Sequence, residues 1–166
     1  MPRIESSVRV LVSADDAFVV SQSRQEVRYR WDPFVREQRL LHGADRPDVG
    51  VETFTRSRHR LTMVSRYTSF RRPTQVGMKM VQGPPFFSSF GGGWSFAPVD
   101  GSTTDVVWRY TFTIRPSWLA PIGDRIGRFL LQRDIDRRIA GFAAACADPA
   151  IVEAARRQLP SGPGTT

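Results

Sequence analysis

Residues 86–114 read FFSSFGGGWSFAPVDGSTTDVVWRYTFTI, and this stretch predicts two adjacent strands of a half-buried sheet. Apolar side chains alternate with other residues in both halves, which is the period of a strand with one buried face. On the second strand that face carries Val106, Trp108, Tyr110, Phe112 and Ile114. On the first it carries Phe90, Trp94 and Phe96. Asp100-Gly101 between the halves is typical of a turn, so we expect the two strands to be antiparallel.

Three consecutive glycines, Gly91 to Gly93, lie inside the first of these strands. Glycine inside a strand marks a bulge, a sharp bend or a close approach of another backbone. We therefore expect the sheet to curl strongly here. A phosphate-binding loop is disfavoured, because no helix follows the glycines and no helix dipole would face a phosphate.

Outward from this stretch, the same alternation and the turn residues predict five more strands. They cover Ile4–Val12, Phe34–His42, Val49–Arg58, Leu61–Phe70 and Thr74–Gln82. Ser13 is a suitable N-cap for a helical region that runs, with one break, to about Arg30. A long helix is predicted over Ser117–Ala147, and a short helix is predicted from Pro149 to Leu159.

This order of elements predicts an α+β fold with a seven-stranded antiparallel sheet covered by the long helix. A curved sheet wrapped around one helix leaves an internal space, and apolar concave spaces are the usual small-ligand sites. We assign residues 1–148 to this ligand-binding domain, and residues 149–166 to a short helical extension and flexible tail. The length of 166 residues suits one domain.

Composition narrows the functional class. The net charge of +8 comes from basic residues scattered among acids, and no nucleic-acid motif accompanies them, so a nucleic-acid partner is disfavoured. No apolar run is long enough for membrane insertion, and the N-terminus has no signal-peptide pattern. One cysteine, Cys146, suits a reducing cytoplasm. Two histidines without ligand spacing predict no metal site, and no Gly-x-Ser-x-Gly motif supports a hydrolase.

The inward-facing positions are rich in methionine and aromatic residues, which adapt to irregular shapes and stack on flat ligands. The predicted ligand-binding residues of the sheet are Met63, Met78, Met80, Phe90, Trp94, Phe96 and Trp108. Those at the start of the long helix are Trp118, Ile122 and Ile126. An ordinary hydrophobic core explains the same pattern about as well, and both interpretations stay open at this point.

Several short motifs, in their order along the chain, resemble those of bacterial polyketide aromatase/cyclases. They are Trp31-Asp32-Pro33-Phe34, then Gly83-Pro84-Pro85-Phe86, Trp94-Ser95-Phe96, Gly101, Trp108, Phe112 and Arg115-Pro116. The resemblance covers about Ile4 to Cys146 and implies the helix-grip fold of the START and polyketide-cyclase superfamily. Members bind apolar ligands between sheet and C-terminal helix. The resemblance implies no cofactor.

The catalytic pattern of those cyclases is only partly present. Where they carry a Trp-x-Trp-x-Ser-x-Arg strand, this sequence has Leu61, Met63, Ser65 and Tyr67. The candidate catalytic residues are therefore the hydrogen-bond donors Ser65, Tyr67 and Tyr110, with charge from Arg39, Glu37 or Arg133 if these reach the cavity. Whether the protein is an enzyme stays open. The alternatives are a non-catalytic carrier of a lipid, quinone or pigment, and a basic membrane- or ribosome-associated regulator.

The long helix carries two apolar stripes about half a turn apart. The first is at positions 119, 122, 126, 129 and 130, and the second is at 131, 135, 139, 142 and 146. A straight helix cannot present both stripes to one core. We expect either a bend near Gly127–Leu131 or a division of roles, in which the second stripe is core and the first closes the cavity mouth as a gate.

Overall fold

The computed structural model describes residues 2–116, 118 and 120–160. Its strands are β1 (Arg3–Val10), β2 (Val35–Leu40), β3 (Glu52–Ser57), β4 (Thr62–Arg71), β5 (Gln75–Gln82), β6 (Phe87–Asp100) and β7 (Thr103–Ile114). Its helices are α1 (Ala14–Ser21), α2 (Gln25–Trp31), α3 (Ala120–Cys146) and α4 (Pro149–Gln158). The flexible tail expected after Pro160 lies outside the described residues.

All seven strands form one antiparallel sheet in the order β1-β7-β6-β5-β4-β3-β2, which confirms the predicted fold class. In the β6–β7 register, Trp94 faces Trp108 and Gly92 faces Tyr110 across the ladder. Register shifts interrupt the β2–β3 and β4–β5 ladders. Such bulges bend and twist a sheet, so they contribute to its curl.

Local capping explains where α1 and α4 begin. The side chain of Ser13 accepts a hydrogen bond from the Asp16 backbone at 3.1 Å and caps α1. Asp148 caps α4 in the same way. The apolar side of α1 is buried around Phe18, while Arg156 of α4 reaches back to Asp16 with a hydrogen bond of 2.7 Å. The C-terminal helix is therefore packed against the first one.

The long helix α3 runs without interruption and lies against β1 and β7. Its C-terminal half is core: Ile135, Ile139, Phe142 and Cys146 are all buried. The apolar residues of its N-terminal half are exposed instead, although Leu119 lies outside the described residues. Of the two arrangements expected for the stripes, the division into two environments is the one observed, and no break separates them.

Glycines set the position of α3. A Cβ at Gly141 would overlap the backbone carbonyl oxygen of Trp31, so α2 and α3 touch at this point. A Cβ at Gly127 would lie 3.1 Å from the Phe112 ring, and one at Gly123 would lie 3.0 Å from Ile114. These glycines let the helix approach β7 closely. No helix in the described part of the chain is long and apolar enough to cross a membrane.

Candidate functional site

A cavity of about 770 Å³ lies between the inner face of the sheet and α3. Its wall takes residues from α1, α2, every strand from β2 to β7, and α3. This volume is within the range typical of small-molecule sites. The curl of the sheet leaves this space between its inner face and α3.

Most of the residues predicted from strand parity are found on the cavity wall. They are Met63, Ser65, Tyr67, Met78, Met80, Phe90, Trp94, Trp108 and Tyr110, with Ile126 from α3. Phe96, Trp118 and Ile122 are not among the wall residues. Sequence reasoning had placed all three there.

The physical reasons for these three differences can be read from the packing. Phe96 faces the same side as Trp94, but beyond the cavity, where its ring meets Phe18 at 5.6 Å between centroids. Trp118 and Ile122 point away from the cavity and are exposed. The side of α3 that faces β7 is the glycine side, so the bulky positions of the first turns are turned outward.

The triple glycine forms part of the cavity wall. A Cβ at Gly92 would lie 2.9 Å from the Tyr110 ring. A Cβ at Gly93 would lie 2.6 Å from the backbone oxygen of Val76. The glycines therefore make room for the Tyr110 ring and for the neighbouring strand, and they keep the centre of the sheet free of side chains.

One end of the cavity is aromatic. The Trp94 and Trp108 rings stack with centroids 3.9 Å apart and an angle of 21° between their planes. Phe90 extends this surface through a contact of 5.2 Å with Tyr110. Flat apolar ligands find a matching surface here, because offset stacking on aromatic rings is favourable.

A buried ionic cluster lies behind the aromatic wall. The Asp32 carboxylate accepts hydrogen bonds from Arg138 Nε at 3.1 Å and Nη2 at 2.8 Å, which is a bidentate pair. It also accepts one from Arg28 Nε at 2.8 Å. Asp32 is fully buried, while both arginines reach the cavity wall. Arg138 lies over the Trp108 ring at 4.4 Å, so its charge is held flat against the aromatic surface.

The charge state of Asp32 follows from its partners. Burial by itself raises the pKa of this carboxyl, but the charges of Arg138 and Arg28 and the hydrogen bonds outweigh burial and lower the pKa to about 2. Asp32 is therefore ionised at neutral pH and fixes both guanidinium groups.

Arg138 also connects two groups that can move or share a proton. Its Nη1 donates to Tyr110 Oη at 2.6 Å and lies 3.8 Å from Asp134 Oδ2. Burial raises the pKa of Tyr110, so the phenol stays protonated, and its own hydrogen remains available to a ligand oxygen. Burial also raises the pKa of Asp134, which makes it a better proton acceptor near neutral pH than an ordinary carboxylate. Both side chains line the cavity.

The other two predicted catalytic residues lie farther along the wall. Burial raises the pKa of Tyr67 to about 12, and its hydroxyl donates to Gln22 Oε1 at 3.4 Å. Ser65 is half-buried on the same strand. Gln38 also belongs to the wall, and its side-chain oxygen is buried without a hydrogen-bond partner in the described part of the chain.

Basic groups of the wall lie at its exposed side. Arg133 and Arg137 of α3, Arg39 of β2 and His59 are exposed wall residues. Of the charged residues considered from the sequence, Arg39 and Arg133 reach the cavity, whereas Glu37 pairs with Arg56 at 3.4 Å outside it. Asp134 is the one acidic residue of the described wall.

Sequence reasoning did not single out Asp32, Arg28, Arg138 and Asp134, which form the ionic cluster at the cavity. Two signals were present. Arg28 and Asp32 are four residues apart, which places them on one helical face. Arg138 lies beside the apolar stripe of Ile135 and Ile139, and a buried charge in such a place needs a partner. Among the described residues, no group of three or more metal-ligating side chains is brought together.

Comparisons with known proteins agree with this architecture. The family model described as polyketide cyclase / dehydrase and lipid transport matches residues 1–147. No curated protein sequence matches the chain. A START superfamily protein from Mycobacterium smegmatis has a TM-score of 0.72 at 13% identity, over 87% of this chain and 97% of its own. An aromatase/cyclase from Streptomyces has a TM-score of 0.66 at 16% identity, over 99% of both chains. The protein XoxI from Bacillus cereus has a TM-score of 0.72 at 14% identity, over 89% and 97%. At sequence identities this low, the structural similarity shows a shared fold and nothing more.

Proposed function

This chain belongs to the polyketide cyclase / dehydrase and lipid transport family, and we propose that it binds an apolar or aromatic polyketide intermediate and acts on it as a cyclase or dehydratase. The observation that carries the proposal is the form of the cavity. An aromatic and thioether wall meets a polar cluster, where Tyr110 and Asp134 flank the same guanidinium nitrogen. A poly-ketone has the matching form, because its body is weakly polar and its reactive atoms are carbonyl oxygens and the acidic carbons between them.

The stacked pair Trp94 and Trp108 and the side chains Met63, Met78 and Met80 contact the body of the ligand in this proposal. Methionine and aromatic side chains adapt to a folded chain without demanding one shape. Phe90 and Ile126 close the sides. The folded conformation held in this way brings the reacting carbons together, which is a main part of catalysis for a ring closure.

The chemistry needs a proton acceptor and an oxygen-stabilising donor. Asp134 removes the proton from a carbon between two carbonyl groups, and Tyr110 donates a hydrogen bond to the enolate oxygen that forms. The enolate carbon then bonds to a second carbonyl carbon, whose oxygen takes up a proton. Loss of that hydroxyl with a neighbouring hydrogen releases one water. Carbon–carbon bond formation and dehydration are redox-neutral, so the proposed reaction requires no cofactor.

Ser65 has a secondary role in this proposal, as a hydrogen-bond donor to an oxygen farther along the ligand. Tyr67 takes the same role when its hydroxyl turns from Gln22 to the ligand. Arg138 is a positioning residue, because it holds Tyr110 and is itself held by Asp32. The buried single thiol of Cys146 suits the reducing cytoplasm that we propose as the location.

The test is conversion of a synthetic poly-β-ketone thioester, followed by mass spectrometry of the cyclised and dehydrated products. We expect Asp134→Asn and Tyr110→Phe each to lower the rate by about a hundredfold, the ordinary contribution of acid–base catalysis. Asp136→Asn is the matched control on the same helix, since Asp136 is exposed and is not a wall residue.

The pH dependence adds a second readout. The wild-type rate falls as the pH drops through the raised pKa of Asp134, because the base becomes protonated, whereas the residual rate of Asp134→Asn lacks this step. Conversion no faster than in buffer, or equal rates in all variants, would contradict the catalytic proposal.

A carrier of a lipid, quinone or pigment is the second candidate. The observation that favours it is Tyr67, which stands where similar cyclases carry an arginine and whose hydroxyl is engaged with Gln22. Mass spectrometry of an organic extract of the purified protein separates the candidates. A stoichiometric lipid or quinone together with no conversion of the poly-ketone supports the carrier.

A further inference from the structure

The first half of α3 carries a row of large apolar side chains that the protein does not bury. Trp118, Ile122, Ile126, Phe129 and Leu130 are between 55% and 77% exposed. At about 100° per residue the four helical positions fall within a narrow arc of the helix. Contiguous exposed patches of this kind are rare on monomeric proteins and mark interaction sites. We call this row the α3 apolar face.

The α3 apolar face cannot be buried by a small rotation of the helix. Gly123 and Gly127 already lie against Ile114 and Phe112 at 3.0 and 3.1 Å, measured from the Cβ each would carry. Turning Ile122 or Phe129 toward β7 would place a large side chain where only glycine fits. The outward direction of the face is therefore built into the sequence.

The face adjoins the mouth of the cavity. Ile126 and Leu130 are both exposed and part of the cavity wall. Leu61 and Phe86, at the tips of the sheet, are also exposed wall residues. Apolar side chains thus form part of the rim of the opening through which an apolar ligand enters or leaves, beside the basic residues of the exposed side.

The charges around the face have one predominant sign. Residues 115–133 contain four arginines, Arg115, Arg125, Arg128 and Arg133, and one acid, Asp124. A helix with large apolar residues on one side and arginines flanking them is typical of segments that lie in the headgroup region of a bilayer. Tryptophan and arginine both suit that depth, because each has an apolar body and a polar tip.

We propose that the α3 apolar face docks on an anionic phospholipid surface, so that the cavity mouth opens onto the bilayer. Two observations select lipid as the occupant: the charge of the flanking arginines and the continuity of the face with the mouth. An apolar ligand then passes between bilayer and cavity without crossing water. The exchange rests on the proposed ligand binding, but the docking itself does not.

The test is flotation of the purified protein with vesicles of phosphatidylcholine alone or with phosphatidylserine. We expect binding to the anionic vesicles, weakening as salt is raised. Phe129→Glu lowers the affinity about tenfold or more, since one large side chain no longer enters the headgroup layer. The double variant Arg125→Glu with Arg128→Glu weakens binding without changing the apolar residues. Leu11→Glu is the matched control, because Leu11 is exposed on another part of the molecule.

Phe129 is not a wall residue, so binding of a neutral fluorescent probe in the cavity is expected to be the same in Phe129→Glu and wild type. If the wild type does not bind the probe, the proposed ligand binding is contradicted, whereas the flotation result is unaffected. Docking is overturned if the wild type does not float with anionic vesicles, or if Phe129→Glu floats equally well. Docking is also overturned if Phe129→Glu lowers flotation only because it dissociates a dimer of this chain.

Discussion

A single carboxylate, Asp32, organises the polar end of the cavity. It is buried and hydrogen-bonded to Arg28 and Arg138, and Arg138 in turn holds Tyr110. Removal of one partner from such a cluster is more damaging than its net stabilisation suggests, because the remaining buried charge has no counterion. The catalytic geometry proposed here therefore depends on a residue that does not contact the ligand.

Asp32→Asn is expected to lower the free energy of unfolding by about 3–5 kcal/mol, the usual cost of breaking a buried ion pair. Urea unfolding at neutral pH measures the loss. Asp105→Asn is the control, because its pair with Arg9 at 2.7 Å is exposed, and we expect little change there. Equal effects of the two substitutions would show that the cluster is not a structural requirement.

The lowered pKa of Asp32 also predicts how the stability difference between wild type and Asp32→Asn depends on pH. The pKa of Asp32 is lowered in the folded state to about 2, so its stabilising contribution is complete above the ordinary pKa, near 4, and is lost as the pH falls from about 4 to about 2. The difference in unfolding free energy between wild type and Asp32→Asn should narrow over this range. A difference that stays constant down to pH 2 would contradict the lowered pKa.

At the residue scale, the sequence identified the aromatic wall but not the ionic cluster. Trp94 and Trp108 were predictable because strand parity is a local pattern that each strand shows by itself. Asp32 and Arg138 are 106 positions apart, and their pairing depends on the contact of α2 with α3. No local pattern predicts a pairing between residues so far apart in the sequence. The position of Arg138 beside the apolar stripe of α3 indicated only that it needs an acidic partner.

At the scale of the element, α3 is one helix with two environments. Its C-terminal half packs in the core, and its N-terminal half lies between the cavity and solvent. The change of stripe was visible in the sequence, but the direction of the first stripe was not. The prediction assumed that apolar residues face the ligand, whereas the close contact of Gly127 with Phe112 turns them outward.

Amide hydrogen exchange checks this division. We expect the amides of residues 120–130 to exchange faster than those of Ile135–Cys146, because the first half has fewer buried contacts and contains Gly123 and Gly127, each less favourable in a helix than alanine by about 1 kcal/mol. A ligand in the cavity should slow exchange in the first half only. Equal protection of both halves, with no response to ligand, would exclude a movable first half.

At the scale of the whole molecule, the fold was predictable because the separate signals in the sequence all indicate the same arrangement of helices and strands. Alternation defined the strands, capping residues such as Ser13 placed the helices, and short turns required antiparallel neighbours. The depth of the cavity was not predictable, since it depends on how far the sheet curls. Phe96 shows this limit, because it has the correct parity but lies past the end of the cavity with Phe18.

Binding in the cavity should be visible in the emission of the whole protein. We expect the neutral probe N-phenyl-1-naphthylamine to bind in the micromolar range or tighter and to quench tryptophan fluorescence, since Trp94 and Trp108 are wall residues. Replacement of both by Phe should remove most of the quenching. Trp118→Phe is the control, because Trp118 is exposed and outside the wall. Quenching that persists in the double variant would contradict the assignment of the cavity.

The stacked indoles of Trp94 and Trp108 have an optical consequence of their own. Two identical chromophores with centroids 3.9 Å apart and planes inclined by 21° share their electronic excitation. Their transition moments should therefore couple, and the protein should show a pair of circular-dichroism bands of opposite sign that neither tryptophan gives alone. A guest that pushes the two rings apart would change the sign or size of that couplet. The circular-dichroism couplet should therefore report the geometry of the cavity, and ligand binding can be followed without a label.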